Sequence, residues 1–169
     1  MDVIEFAMQM ELDGKAFYEK GAKESDSPEL KKILTTLAEE EEKHYRIFRA
    51  LRDGETDQAR QALGRKSNTP ALAKNVFQQL RESGVDTLYA DQARALWEEA
   101  IKVERKSEAM YREAAEKEVD AARKELLNVI ADEEKDHIYL IDNMISFMSD
   151  PQAFVQSAQY RNFMSWEGR

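Results

Sequence analysis

The chain has 169 residues, with 34 acidic against 25 basic side chains and a net charge of −9. That balance argues against sequence-independent nucleic-acid binding, which needs a basic surface, and against docking on an anionic membrane. There is no cysteine, which excludes disulfides, thiol catalysis, zinc fingers and iron–sulfur clusters. Only six glycines and three prolines interrupt a sequence that is 42% hydrophobic and 35% charged, a composition that suits amphipathic helices in one all-α domain. The N-terminus has no basic segment followed by an apolar run, and no window reaches membrane-spanning length, so a soluble cytoplasmic protein is expected.

The first helix is expected from about Asp2 to Lys23, with Ile4, Met8, Glu11, Lys15, Tyr18 and Ala22 along its inner seam. Ser25-Asp26-Ser27-Pro28 reads as a loop and a new helix start, Ser27 capping and Pro28 at the first helical position. The second helix carries Leu30, Leu34, Leu37, Glu41, His44, Phe48 and Leu51 at alternating spacings of four and three, so they share one face. Asp53-Gly54 ends it. From Glu55 to about Asp91 the chain begins polar. Thr69-Pro70 then opens a short helix with Leu72, Val76, Phe77 and Leu80 on one side, and Ser83-Gly84 closes it. Such a connection is long enough to run the length of a bundle, since a helix of about twenty residues spans roughly 30 Å. The third bundle helix runs to about Glu118 with Ala93, Trp97, Ala100, Glu104, Ser107, Tyr111 and Ala115 inward. Asp120 caps the fourth, whose seam is Leu127, Ile130, Glu134, His137, Ile141, Met144 and Met148. The segment after Ser149-Asp150-Pro151 holds Phe154, Val155, Tyr160, Phe163 and Trp166. It is too aromatic to be a free tail and is expected to pack on the bundle or on a partner subunit.

The two halves repeat. Glu11 and Glu104, Tyr18 and Tyr111, Glu41 and Glu134, and His44 and His137 all share one offset of 93 residues, and residues 5–44 laid without gaps on 98–137 give twelve identities. The chain therefore reads as two related helical hairpins, about 1–53 and 91–148, joined by a crossover over 54–90 and followed by a packing tail over 149–169.

The only two histidines each stand three residues after a glutamate, and Glu41, His44, Glu134 and His137 occupy seam positions where leucine would otherwise sit. Several unpartnered carboxylates in a core are costly, and a cation between them removes the conflict. Two single glutamates plus two Glu-x-x-His pairs, one set on each of four helices, is the ligand inventory of a dinuclear carboxylate site in a bundle. Carboxylate and imidazole suit iron or manganese. The candidate ligands are Glu11, Glu41, His44, Glu104, Glu134 and His137. One Glu-x-x-His in so acidic a helix is a weak signal, and duplication alone could carry it twice. The same register of Glu11 and Glu104 on the seams is what a solvated face does not supply. Tyr18 and Tyr111, seven residues past Glu11 and Glu104, are the candidate catalytic residues as hydroxyls behind the ligands. Core packing with a satisfied hydroxyl is the other reading. Met8, Met10, Met110, Met144 and Met148 read as core filler. Glu40 and Glu133 each precede a candidate ligand. One or both could accept the outer N–H of a histidine from the facing helix, with a solvent-facing carboxylate as the alternative, above all for Glu40.

The order Glu11…Tyr18, Glu41-x-x-His44, Glu104…Tyr111, Glu134-x-x-His137 resembles the diiron domain of the rubrerythrins, within the ferritin-like superfamily. The resemblance covers about residues 1–148. It implies a ferritin-like four-helix bundle with one long crossover between its second and third helices and a short helical tail. It also implies two irons, Glu41 and Glu134 bridging them, Glu11 with His44 completing one site and Glu104 with His137 the other. Manganese or a mixed pair stays open. The activity implied is peroxide reduction in oxidative-stress defence. Two departures are visible. Rubrerythrins usually join a cysteine-rich domain that feeds electrons, so here a separate electron-donor protein is expected, with a homodimer as the expected assembly. They also carry an extra glutamate three residues after the first ligand of the third helix. Here that position is Ser107, which removes the exchanging carboxylate and leaves the six-residue ligand set intact. Three functions follow: a redox enzyme reducing peroxide or dioxygen with an external donor, an iron-oxidising or iron-storing protein, or a non-catalytic metal-stabilised helical interaction module.

Overall fold

The structure is a computed structural model that describes residues 2–64, 67–83 and 87–168, with backbone alone at 83 and 87–92. Among the described residues there are eight helices and no strand: α1 (Val3–Glu24), α2 (Pro28–Arg52), α3 (Thr56–Leu63), α4 (Thr69–Ser83), α5 (Thr87–Lys117), α6 (Ala121–Ser149), α7 (Pro151–Gln156) and α8 (Ala158–Ser165). α1 packs along α2 and α5 along α6, giving two antiparallel hairpins whose inner faces meet to form a ferritin-like four-helix bundle. No described helix is long and apolar enough to cross a membrane.

The hairpins start their second helices in the same way. The Ser27 hydroxyl accepts from the Leu30 N–H at 3.2 Å, and the Asp120 carboxylate accepts from the Arg123 N–H at 2.8 Å. Each satisfies an otherwise orphaned N-terminal donor, a contribution of about 1 kcal/mol. The two caps are themselves related by the offset of the repeat. α2 stops at Asp53, and Gly54 takes φ 77°, the left-handed region that glycine reaches without strain.

The crossover holds two helices where one was expected. α3 falls in the segment read as polar, and only Ala59 in it is buried, with Ala62 and Leu63 partly so. Eight residues with so few apolar positions give no readable stripe, and contact with α2 and α6 supplies what the periodicity lacks. α4 follows the expected pattern, since Val76, Phe77 and Leu80 are buried and Leu72 half-buried against the main core. The Gly84 part of its expected stop lies outside the described residues. α5 begins at Thr87, several residues earlier than the seam suggested. The tail forms α7 and α8 and packs back on the same chain. Phe154 and Phe163 join Phe77 and Phe147 in one aromatic cluster, with ring centroids 4.6–5.9 Å apart.

Two apolar cores stack along the bundle. One is built around Leu30, Leu34, Leu37, Phe77, Trp97, Leu140 and Phe147, the other around Ile4, Met8, Phe48, Leu51, Leu127 and Ile130. Each long helix passes from one core to the other, and each presents Glu11, Glu41 with His44, Glu104, or Glu134 with His137 between them. The bundle therefore carries one polar layer closed above and below by hydrocarbon. Lys15, expected on the α1 seam, lies at the rim instead, about a third exposed with Nζ 2.9 Å from Glu42 Oε2. A long cationic side chain gains more from water and a surface carboxylate than from the core. Ala93 is likewise half-buried.

Candidate metal centre

All six candidate ligands are buried, and the structure brings them together. They form two overlapping groups, Glu11, Glu41, His44 and Glu134 in one and Glu41, Glu104, Glu134 and His137 in the other. In each group the candidate ligand atoms lie within 4.8 Å of one another. Glu41 and Glu134 belong to both. Both histidines turn Nδ1 inward. His44 Nδ1 lies 2.9 Å from Glu134 Oε1 and 3.5 Å from Glu11 Oε2. His137 Nδ1 lies 3.4 Å from Glu104 Oε2 and 3.5 Å from both Glu41 Oε1 and Glu134 Oε2. The rings stack with centroids 5.8 Å apart.

These inward atoms have no hydrogen bonds of their own. Glu11 Oε2, Glu41 Oε1, both Glu134 oxygens and the Nδ1 atoms of His44 and His137 are buried without a hydrogen-bond partner, and they face one another. Acceptors pointed at acceptors in a dry layer are unstable unless protons or cations lie between them. Burial and neighbouring charge place protons there. Burial and the charge of Glu104 push Glu134 up to about 8, and burial with the charges of Glu134, Glu104 and Glu11 pushes Glu41 well up. Glu104 moves the other way. Burial opposes its charge, but the contact with Glu134 and the His137 charge outweigh it and hold Glu104 near 2. The metal-free cluster therefore keeps a proton on Glu134 next to an ionised Glu104. Burial alone would lower both histidines. The surrounding carboxylates, led by Glu11 for His44 and Glu104 for His137, raise both well above the usual imidazole range. Orphaned lone pairs, a carboxylate-rich donor set and raised imidazoles all fit divalent cations, which would replace those protons.

The outer contacts are specific. Tyr18 donates its hydroxyl to Glu104 Oε1 and Tyr111 donates to Glu11 Oε1, so each tyrosine holds the glutamate of the opposite hairpin. Both rings are fully buried, which joins the two readings of these residues: they are core and they anchor the cluster. His44 Nε2 lies 2.7 Å from Glu133 Oε2, and the same oxygen lies 2.9 Å from Lys43 Nζ. With Glu133 held near 2, because the His44 bond and the charges of His44 and Lys43 outweigh its burial, Nε2 keeps its proton, and Nδ1, facing the centre, is the nitrogen whose proton a cation would replace. Glu133 thus makes the contact open to both carboxylates in the sequence. Glu40 is not solvent-facing either; it takes Lys43 at 2.6 Å and the Ser67 hydroxyl at 3.1 Å. Beside His137 a cavity of about 300 Å³ opens, lined among others by Glu40, Glu133, Asp136 and the tail residues Trp166 and Gly168.

Two neighbours of the centre went unread in the sequence. Lys43 bridges Glu40 and Glu133, and its only sequence signal is its place beside His44. Gly14 lies in the polar layer one turn from Glu11, and a Cβ there would stand 2.7 Å from Glu41 Oε2. The repeat held a hint, because its mate Ser107 is also small and is buried.

A helical bundle whose polar layer can hold metal through shared carboxylates and two histidines defines the class. Residues 2–145 match the rubrerythrin family, and the chain belongs to that family. Neither a curated protein nor a solved structure matches it.

Proposed function

We propose that this is a diiron redox protein that reduces peroxide or dioxygen with electrons from a separate donor protein. The observation that carries the reading is the sharing of Glu41 and Glu134 between two ligand groups, which suits a pair of ions rather than one. Glu11 with His44 and Glu104 with His137 would complete the two sites. Two irons held there supply the electrons and the Lewis acidity for cleaving an O–O bond.

The protein's part is to hold and to insulate. Four carboxylates against two divalent ions leave the buried layer neutral, so the dry core is tolerated once both ions are present. Tyr18 and Tyr111 fix the terminal glutamates through hydroxyls that burial and the neighbouring carboxylates keep protonated, since both are raised well above the ordinary phenol value. Glu133 fixes the His44 ring and raises the basicity of its free nitrogen. The apolar cores above and below shield the layer from bulk water along the bundle axis.

Stopped-flow oxidation of the diferrous protein by hydrogen peroxide, with and without a reductant, tests this. Turnover with the reductant is expected. A single stoichiometric oxidation with no turnover assigns the protein to iron handling instead, and a chain that retains no iron removes the redox reading. The same assay compares the parent with Ser107→Glu. If an exchanging carboxylate at this seam position speeds the reaction, the variant reacts faster than the parent. It should also be less stable without metal, because it buries one more charge. A parent at least as fast as the variant shows that Ser107 is no handicap.

A further inference from the structure

The two shared carboxylates are not equivalent. Glu134 sits at the middle of the cluster with Oε1 toward His44 and Oε2 toward His137, and its side chain is 0% exposed. Glu41 turns Oε1 toward His137 and lays Oε2 against the backbone of α1 at Gly14, where its side chain keeps 6% exposure. A Cβ at Gly14 would lie 2.7 Å from that oxygen, closer than such contacts are found, and a tight 3.3 Å from the carboxylate carbon. The glycine has no conformational reason to be there. It lies mid-helix, without a positive φ, where glycine weakens a helix relative to alanine. What the position requires is the missing side chain.

We infer that Gly14 is a positioning residue for the metal centre: the space left by its absent side chain is where the Glu41 carboxylate rests, and filling that space displaces the carboxylate from the cluster. The atoms in conflict are the far end of a flexible side chain and a single methyl group. Relief therefore comes by rotation of Glu41 and not by unfolding of α1. The site pays with the geometry of a ligand shared by both groups, so the loss falls on both ions. The second hairpin has Ser107 at the equivalent place on α5, so the space beside the cluster is larger on the α1 side.

The inference rests on the metal-centre reading only where metal affinity is measured, and a metal-free arm keeps the two separable. The variants are Gly14→Ala and, as a control, Gly21→Ala. Gly21 is another buried glycine of α1, and its Cβ would meet Leu96 Cδ1 at 2.8 Å, away from the polar layer. Crystal structures of the metal-free parent and Gly14→Ala are expected to show α1 in place and the Glu41 carboxylate moved. An unmoved carboxylate with α1 displaced overturns the inference. Equilibrium titration with Co²⁺ is expected to give two ions per parent chain, affinity reduced tenfold or more in Gly14→Ala, and parent affinity in Gly21→Ala. Gly14→Ala should melt without metal at or above the parent's temperature, which excludes a general loss of fold. Adding Gly14→Ala to Glu41→Asp should cost little beyond Glu41→Asp alone, since both act through one carboxylate. Parent affinity in Gly14→Ala, or full additivity of the two changes, refutes the inference. A parent that binds no Co²⁺ refutes the metal-centre reading instead, and the crystallographic comparison then decides the role of Gly14 by itself.

Discussion

The two hairpins hold the same candidate ligands in the same register, yet their surroundings differ. On the first hairpin His44 is fully buried, its outer nitrogen closed off by Glu133, which is neutralised in turn by Lys43. On the second, His137 lines a cavity whose walls come from α2, α6, the crossover and the tail. The residue before each histidine marks the divergence: Lys43 in one copy, Asp136 in the other. Glu41 rests in the gap over Gly14, while Glu134 fills the centre with both oxygens engaged. The repeat gives a symmetric inventory, and the positions beside the candidate ligands leave one half closed and the other open. Identity of ligands does not confer identity of site.

Removing the shared carboxylates is the most severe way to break this comparison. The double change Glu41→Ala with Glu134→Ala is expected to abolish retention of both ions, measured by elemental analysis of protein loaded with iron under anaerobic conditions. Of the single changes, Glu134→Ala should be the worse, because both inward histidine nitrogens face that carboxylate. Equal losses would show that the asymmetry seen here does not extend to binding.

The protonation of the metal-free centre gives the next largest effect. Glu134 is raised from 4.5 to about 8, so the folded state binds a proton that the unfolded chain has released. That contribution is complete below pH 4.5 and is lost as pH rises through about 8, with a size on the order of a few kcal/mol. Glu41 and the two histidines, all raised, act in the same direction, the histidines from about pH 6.5 upward. Glu104 and Glu133, held near 2, act oppositely. Their contribution is present above 4.5 and is lost only in strong acid, so they do not oppose the trend between pH 5 and 8. Melting curves of metal-free protein should therefore fall across that window, and those of the metal-loaded protein should stay level. The same slope in both forms would mean that protons and metal do not compete for one cluster.

A smaller effect sharpens the contrast at the histidines. Glu133→Gln removes the charge that orients His44 and should weaken metal binding by about 10- to 100-fold. Glu40→Gln, at the same place in the repeat but bonded to Lys43 and Ser67, should change it much less. Titration of both variants with Co²⁺ makes the comparison, and equal losses would assign the effect to net charge in place of orientation.

The bundle and the six converging side chains were legible because they repeat. Seam positions in α2 and α6 are spaced by three and four, and every one of them is buried, so a polar residue in such a row stands out. The caps at Ser27 and Asp120 were legible for a local reason, a short acceptor directly before a helical run. What escaped notice depends on contacts between distant segments. α3 owes its helix to docking and carries one buried alanine. Lys15 shares the period of the α1 seam, and only the width of the buried stripe decides that it stays at the rim. Gly14 matters through an oxygen on another helix, and no local pattern marks that distance. The choice between Glu40 and Glu133 as the partner of a histidine depended on where Lys43 reaches, which sequence spacing leaves open.

The crossed tyrosine contacts have a consequence for how the molecule comes together. Tyr18 grips a glutamate of α5 and Tyr111 a glutamate of α1, so neither hairpin can complete its own half of the layer. An isolated first hairpin would leave Glu11 without the phenol that secures it, and an isolated second hairpin would lack the same support for Glu104. The interface between the hairpins is thus self-checking, since only a correctly seated partner supplies both missing hydroxyls. The crossover keeps that partner at high effective concentration. The same geometry would let two copies of a single ancestral hairpin complement each other before any linker joined them.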